Sequence, residues 1–390
     1  MHKYTYLIIG GGMTTASAVH GIREVDEQGD IAVISAEKHQ PYDRPPLSKQ
    51  LWTGKKSQDD IWRELPEGVT FHLSRTVVAL DLEQKEARDN AGEVYRFEKL
   101  LLATGGTPRR LPFGGDSIIY FRDLDSYRRL YALAEEQDRF AVIGGGFIGS
   151  EIAAALAMQG KQVTMLFPEP AIGTRLFPVE LSDHLNNYYR ERGVELFPGE
   201  TAVDLQGEGT ELTLLTDKDR RIEVNGIVAG IGITPNAALA QAAGLEVTDG
   251  IVVDSALRTS HPDVYAAGDV ANFCDQLLGV RRRVEHEDAA NSMGTVAGQA
   301  MAGAGVVYDH SPFYYSDMFD LGYEAVGRVD ARLETVVDWQ ERYRKGIIYY
   351  LDNGLVRGVL LWNVWGKLDE ARQLLAKPGP FHANARLQKR

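Results

Sequence analysis

The hydrophobic pattern of this chain repeats itself. At residues 4–9 an apolar run leads into Gly10, Gly11 and Gly12, and at residues 140–143 another leads into Gly144, Gly145 and Gly146, with Gly149 following. Each reads as strand, tight turn, helix: the helices are predicted over residues 13–23 and 147–158, the second stopping at Gly160. A further apolar run follows each helix, residues 31–35 (IAVIS) and 162–167 (QVTMLF), so each region closes as a βαβ unit.

Between and beyond these units the pattern is mostly strand-like. Residues 69–82 alternate, residues 100–104 (LLLAT) form a buried strand ending on Gly105 and Gly106, and residues 123–139 are helical and charged. Residues 203–215 and 221–229 read as strands joined by charged turns, and residues 230–236 (GIGITPN) form a closing loop. Residues 263–269 (DVYAAGD) are a short apolar run ending at Gly268 and Asp269, readable both as a capped helix start and as an acid beside a phosphate-facing helix. From about residue 305 the texture changes. Strands at 345–351 and 355–361 flank Asp352, Asn353 and Gly354, a strong hairpin signal; a short helix is predicted at 368–375, and residues 376–390 are expected to fray.

Glycine loops of this kind let the backbone turn sharply and approach a pyrophosphate. Its charge is met by unpaired N–H groups and the positive end of the helix dipole. Two such loops imply two dinucleotides. An acid stands just past the second strand of each unit, Glu37 and Glu169, where a carboxylate accepts hydrogen bonds from an adenosine ribose. No cation directly follows Glu169, so the second pocket reads as built for a free 2′-hydroxyl, as in NADH, with Arg175 the nearby cation.

Composition narrows the class. A chain of 390 residues, 44% hydrophobic and 25% charged, has material for two or three globular domains rather than for disorder. With no apolar run of membrane-spanning length, and with the N-terminus passing directly into a strand, a soluble, unprocessed, cytoplasmic protein is expected. The net charge of −13 is spread along the chain and argues against general nucleic-acid or anionic-membrane binding, and no membrane insertion is expected. The one compact basic run, Arg281, Arg282 and Arg283, reads first as a solvated loop. Cys274 is the single cysteine, which excludes an internal disulfide, a cysteine-rich metal site and a dithiol relay.

Residues 41–49, PYDRPPLSK, set two prolines between an arginine and a lysine. Such a loop is either rigid enough to aim Arg44 and Lys49 or a surface turn with incidental charge. Glu151, in the second helix, is either a functional acid or one favoured there by the macrodipole.

Taken together, the motifs resemble the two-dinucleotide flavoprotein reductases, and specifically the apoptosis-inducing factor family with its bacterial relatives. The likeness runs through PYDRPPLSKQLW (41–52), LLATGGTPR (101–109), IGGGFIGSE (143–151), LFPE (166–169), AAGD (266–269), RRRVEH (281–286), GYEAVGRVD (322–330) and VLLWNVWGKLDEARQLL (359–375). The PYDRPPLSK loop alone equally suits ferredoxin reductases of the putidaredoxin reductase type. The implied fold is α/β: two Rossmann-like, glutathione reductase-type dinucleotide-binding domains plus an α+β C-terminal domain. FAD would occupy residues 1–120 and 249–305, NADH residues 121–248, and residues 306–390 would help cover the flavin. Carried over by motif, FAD contacts fall to Gly10, Gly12, Thr15, Glu37, Arg44, Lys49, Val78, Thr104, Gly105, Arg109, Asp269, Glu285, His286 and Tyr315. NAD contacts fall to Gly144, Gly146, Phe147, Ile148, Gly149, Glu151, Glu169 and Gly232.

The resemblance further implies that Lys49 and Glu151 pair beside flavin N5, with His286 as a neighbour of the ring. Departures from the family are also visible. Thr15 stands where Gly or Ala is usual, and Tyr315 stands where mammalian members carry a tryptophan, so it stacks with less area. The mammalian targeting leader, membrane segment and long C-terminal insertion have no counterpart, so apoptotic release and nuclear DNA binding are not implied. Three functions follow as expectations: an FAD-dependent NADH oxidoreductase with slow reoxidation and an unknown electron acceptor; an NADH-responsive redox sensor that forms a homodimer or binds a partner; and a ferredoxin reductase, for which Arg281–Arg283 is the candidate docking patch.

Overall fold

The computed structural model describes residues 2–377, 379–381 and 386–387. Packing divides it into two units, one of residues 1–43, 58–107 and 234–313, the other of residues 44–57, 108–233 and 314–390.

The first unit is built on a seven-stranded sheet. Strands Val69–His72, Ile31–Ile34, His2–Ile9 and Val94–Leu102 lie parallel, Val264–Ala266 adds to Val94–Leu102, and Glu86–Asp89 and Val77–Asp81 continue antiparallel. Ile8 sits in register with Val33 and Leu101, all three without solvent exposure. Central strands of a parallel sheet are covered on both faces, which is why these runs are continuously apolar rather than alternating. Helices Met13–Arg23 and Glu287–Met301 pack on one another.

The second unit holds a parallel sheet in the order Val194–Pro198, Gln162–Phe167, Arg139–Ile143, Gly226–Ala229, Ile118–Tyr120. A three-stranded antiparallel sheet, Ala202–Glu208, Glu211–Thr216 and Arg221–Val224, accompanies it. The C-terminal part is a five-stranded sheet in the order Phe313–Met318, Leu321–Gly327, Leu355–Trp362, Lys345–Asp352, Glu334–Glu341, with helix Leu368–Leu375. Its hairpin turn has both Asn353 and Gly354 at positive φ, 52° and 75°, as a two-residue turn between twisted strands requires.

Three helices escape the periodicity reading, the short Ala238–Ala242 and the longer Val179–Glu191 and Glu287–Met301. Of the longer two, the first follows a proline at its N-cap position. The second is rich in Gly, Ser, Asn and Thr, which lowers its intrinsic propensity, and it is held by its packing on Met13–Arg23. Conversely, no α-helix follows Asp269: after a single 3₁₀ turn, Gly268–Val270, the chain continues as strand Ala271–Asp275 beside Gly250–Val252, and the helix begins at Glu287. The residues 203–215 and 221–229 each divide into two strands. Much of the tail expected to fray, residues 378, 382–385 and 388–390, lies outside the described residues. Among the described residues no helix is long and apolar enough to cross a membrane, and no His, Cys, Asp or Glu cluster is arranged to hold a metal ion.

Candidate functional site

Both glycine loops open onto helices that no side chain caps. Gly12 is the N-cap of Met13–Arg23 and Gly146 that of Phe147–Met158, each extended, and neither helix has an acid in its first turn. Helix Leu124–Glu136 shows the ordinary alternative, a capping box between Asp123 and Ser126. A glycine at the N-cap supplies no side-chain acceptor of its own, which suits an external anion at the helix start. A Cβ at Gly146 would meet no protein atom within 4 Å, so the second loop is open on that side. These features fit the pyrophosphates of two dinucleotides.

The loops differ at their third small position. Thr15 is fully buried, and its hydroxyl donates to the Gly10 carbonyl at 2.7 Å, so the β-branched side chain closes the first turn from within. In the second loop a Cβ at Gly149 would lie 1.9 Å from the Gly144 carbonyl oxygen, and only glycine fits.

The two candidate ribose acids each stand just past the second strand of their βαβ unit. Glu37 follows strand Ile31–Ile34 and accepts from the Tyr42 hydroxyl at 2.6 Å. Glu169 follows strand Gln162–Phe167 and pairs at 3.1 Å with Arg175, itself largely exposed. In the first unit, Thr104 donates to the Asn236 carbonyl and the Asn236 amide side chain donates back to the Thr104 carbonyl, both at 2.9 Å, holding the Thr104–Gly105 turn. In the second unit the Arg109 N–H donates to the Gly232 carbonyl. Val78 bulges out of register on an edge strand and is exposed.

The loop of residues 41–49 is no surface turn. Pro46, Leu47 and Ser48 are buried in a 3₁₀ turn; Trp52 Nε1 donates to the Leu47 carbonyl, Gln159 donates to the Trp52 carbonyl, and Arg44 donates to the Arg122 carbonyl. The turn delivers Lys49 to Glu151, Nζ to Oε1 at 2.7 Å, with both side chains almost fully buried. Ser48 Oγ donates to Glu151 Oε2 and Ser316 Oγ to Oε1, each at 2.6 Å. The Tyr315 ring centroid lies 5.2 Å from Lys49 Nζ. Burial raises the Asp317 carboxyl above its usual range, the Lys49 charge opposing and the Glu151 charge reinforcing. A favourable helix dipole does not account for Glu151, which lies past the first turn and satisfies three donors. Phe147 stands edge-on to Tyr314, centroids 5.5 Å apart, with half-buried Ile148 beside it. Ser48, Ser316 and Asp317 are not singled out by the sequence, although Ser48 adjoins Lys49 and Ser316 adjoins Tyr315.

His286 is the N-cap of helix Glu287–Met301. Burial pulls its imidazole down to about 4, against the Asp269 carboxylate, with Arg282 adding to the depression and Asp288 opposing it. The ring is therefore neutral at pH 7. Below about pH 6.5 the unfolded chain takes up a proton that the folded site refuses until about pH 4, so stability falls as pH drops through that window. Replacing His286 by asparagine is expected to flatten the dependence between pH 6.5 and 4 in denaturant titrations; an unchanged slope would refute it.

The basic run beside it lies largely in strand Val280–Arg282, with Arg281 exposed and Arg282 and Arg283 half-buried. Arg281 donates to the Val253 and Asn272 carbonyls, Arg282 pairs with buried Asp275 at 2.5 Å, and Arg283 pairs with Asp249 and Glu285 and donates to the Asp269 carbonyl. These guanidiniums thus help hold the fold of their own unit.

Residues 4–294 match the pyridine nucleotide-disulphide oxidoreductase family, and residues 297–341 and 337–377 match the C-terminal region of mitochondrion-associated apoptosis-inducing factor. The chain belongs to the pyridine nucleotide-disulphide oxidoreductases. Within them it is apoptosis-inducing factor-like: it is 34% identical to apoptosis-inducing factor 1, mitochondrial, of Dictyostelium discoideum, over 97% of this chain and 79% of that one. It is also 32% identical to the ferredoxin–NAD(+) reductase component of a 3-phenylpropionate/cinnamic acid dioxygenase from Photorhabdus laumondii, over 97% and 98% of the two chains. Among solved structures, putidaredoxin reductase in its covalent complex with putidaredoxin superposes with a TM-score of 0.90 at 26% identity, over 98% of this chain and 95% of that one. A ferredoxin reductase from Rhodopseudomonas palustris superposes at 0.88 and 28% identity, over 96% of both. The chain is thus an FAD-dependent NADH oxidoreductase of α/β fold. Its lone cysteine, Cys274, is exposed and forms no disulfide, so the dithiol chemistry in the family's name is not its own.

Proposed function

We propose that this oxidoreductase holds FAD on the Gly10–Gly12 loop and NADH on the Gly144–Gly149 loop, and that Lys49, positioned by Glu151, stabilises the reduced flavin. FAD, when bound, accepts a hydride from NADH and passes electrons onward. The observation that carries the reading is the buried Lys49–Glu151 pair: an ammonium fixed in a dry site is an electrostatic device of little use to folding alone. The three-part division at residues 120, 249 and 305 belongs to the same reading, as does a cytoplasmic location.

With no dithiol relay, electrons leave the flavin directly for an external acceptor, and reoxidation by oxygen is slow. Ferredoxin delivery is the second reading, favoured by the likeness to putidaredoxin reductase and the Photorhabdus reductase component. Its candidate docking patch is Arg281–Arg283, of which Arg281 is exposed. Anaerobic NADH titration with size measurement, then an acceptor screen at low salt, separates the cases. Acceleration by a ferredoxin selects the second, whereas a persistent reduced flavin with an NADH-dependent homodimer selects a sensing role.

Coenzyme choice is assigned to Glu169. Its carboxylate accepts from a ribose 2′-hydroxyl and repels a 2′-phosphate, so NADH is preferred. Replacing Glu169 by alanine is expected to lower the NADH-over-NADPH preference about tenfold, the scale of one charge-assisted hydrogen bond. Flavin reduction rates with each coenzyme measure it. Equal use of both by the parent protein would overturn the assignment.

A further inference from the structure

An ion pair with Lys49 needs one oxygen of Glu151, yet both oxygens are taken. Ser48 Oγ donates to Oε2, and Ser316 Oγ donates to Oε1 alongside the lysine, with hydroxyl distances of 2.6 Å and an ammonium distance of 2.7 Å. Ser48 is 4% exposed, Ser316 1% and Glu151 3%. The three residues come from separate segments of one unit: the turn Pro45–Ser48, the helix Phe147–Met158 and the strand Phe313–Met318.

A carboxylate so buried costs free energy unless its lone pairs are met. Hydroxyls meet them without adding charge, which leaves Lys49, among the described residues, the cation bonded to Glu151. They also fix the carboxylate plane from two sides. Lysine is a flexible point charge on a four-carbon stem, and its position is only as well defined as that of its partner. The Tyr315 ring closes a further side of Nζ. A carboxylate held merely for stability needs no such convergence, since an apolar residue of similar volume would serve as well.

We propose that Ser48 and Ser316 are positioning residues of the NADH half-reaction, clamping Glu151 in one orientation so that the Lys49 ammonium is held at one point. The inference rests on the role given above to Lys49 and Glu151. Neither hydroxyl transfers a proton or hydride; both act through the carboxylate.

The test uses FAD-loaded protein and four variants, Ser48→Ala, Ser316→Ala, the double alanine variant and Ser316→Thr, mixed anaerobically with NADH. Each single alanine is expected to lower the limiting rate of flavin reduction about fivefold and the double about thirtyfold, as small misplacements of catalytic charge do. The apparent NADH affinity stays within about twofold, and the midpoint potential of the bound flavin falls in step with the rate. Ser316→Thr, which keeps the hydroxyl, retains most of the parent rate. If the double variant loses FAD, the singles and the threonine variant decide. Lower melting temperatures with unchanged limiting rate and unchanged potential would overturn the proposal and make the clamp purely structural. Lys49→Ala, run in parallel, separates the two levels. If it also leaves the rate unchanged, the ion-pair reading has failed; if it slows reduction while the serine variants do not, only the clamp has failed.

Discussion

Replacing Lys49 by alanine is expected to slow the reduction of bound FAD by NADH about a hundredfold while leaving FAD in place, the scale of removing one preorganised electrostatic donor from a dry site. The ammonium is 2.7 Å from Glu151 and nearly excluded from solvent. Its field is therefore strong where charge develops and weak in solution. Glu151→Ala should slow reduction comparably, but through a different loss: Lys49 remains and is no longer fixed. The two variants diverge in stability. Without Lys49, the carboxylate keeps both serine hydroxyls; without Glu151, a buried ammonium loses its ion-pair partner and is left with the Tyr315 face and the neighbouring Asp317. Glu151→Ala is expected to melt lower. Anaerobic rapid mixing with parallel thermal melts measures both effects, and undiminished reduction in both variants would refute the role of the pair.

The parts of this protein that follow a local rule were legible before the fold was seen. Strand, glycine turn and helix leave a pattern of apolar residues and glycines that topology does not alter, so Met13–Arg23, Phe147–Met158 and Gln162–Phe167 agree with the pattern to the residue. The Asn353–Gly354 hairpin is equally local, because positive φ at two successive positions selects those residue types. Helix Glu287–Met301 is the opposite case. Its small residues weaken local preference and gain their meaning from a helix far away in sequence.

The candidate site divides along the same line. Lys49 and Glu151 are found through motifs, but that residues 44–57 pack beneath the helix carrying Glu151 is tertiary information, and without it a proline-rich charged loop reads as a surface turn. Ser48 and Ser316 are invisible singly, since a serine gains significance only from the carboxylate it reaches. The arginine triplet misleads for a related reason. Charge is visible in sequence, but the Asp275 and Asp249 carboxylates that pair with it are brought there by folding.

Gly149→Ala is expected to abolish reduction of the flavin by NADH without removing FAD. The added methyl would sit 1.9 Å from the Gly144 carbonyl oxygen, a distance no side-chain rotation relieves, because both atoms belong to backbone or are fixed to it. Either the helix Phe147–Met158 moves away from the strand or the glycine turn opens, and both displace the N–H groups offered to the pyrophosphate. The apparent NADH affinity should fall at least about a hundredfold, as displaced binding geometry does. Dithionite should still reduce the flavin, showing that the first loop is intact. Gly146→Ala provides the internal comparison: its methyl meets no protein atom, so a loss of NADH binding there comes from the ligand's own volume and leaves the melting temperature unmoved. The first loop shows why the same substitution cannot be judged from the motif alone. At the matching position it carries Thr15, larger than alanine, buried and hydrogen-bonded to the Gly10 carbonyl. Two loops of one pattern thus have opposite tolerance at the same position. Unchanged NADH affinity in Gly149→Ala would mean that the second loop relaxes as the first has, and that its third glycine is dispensable.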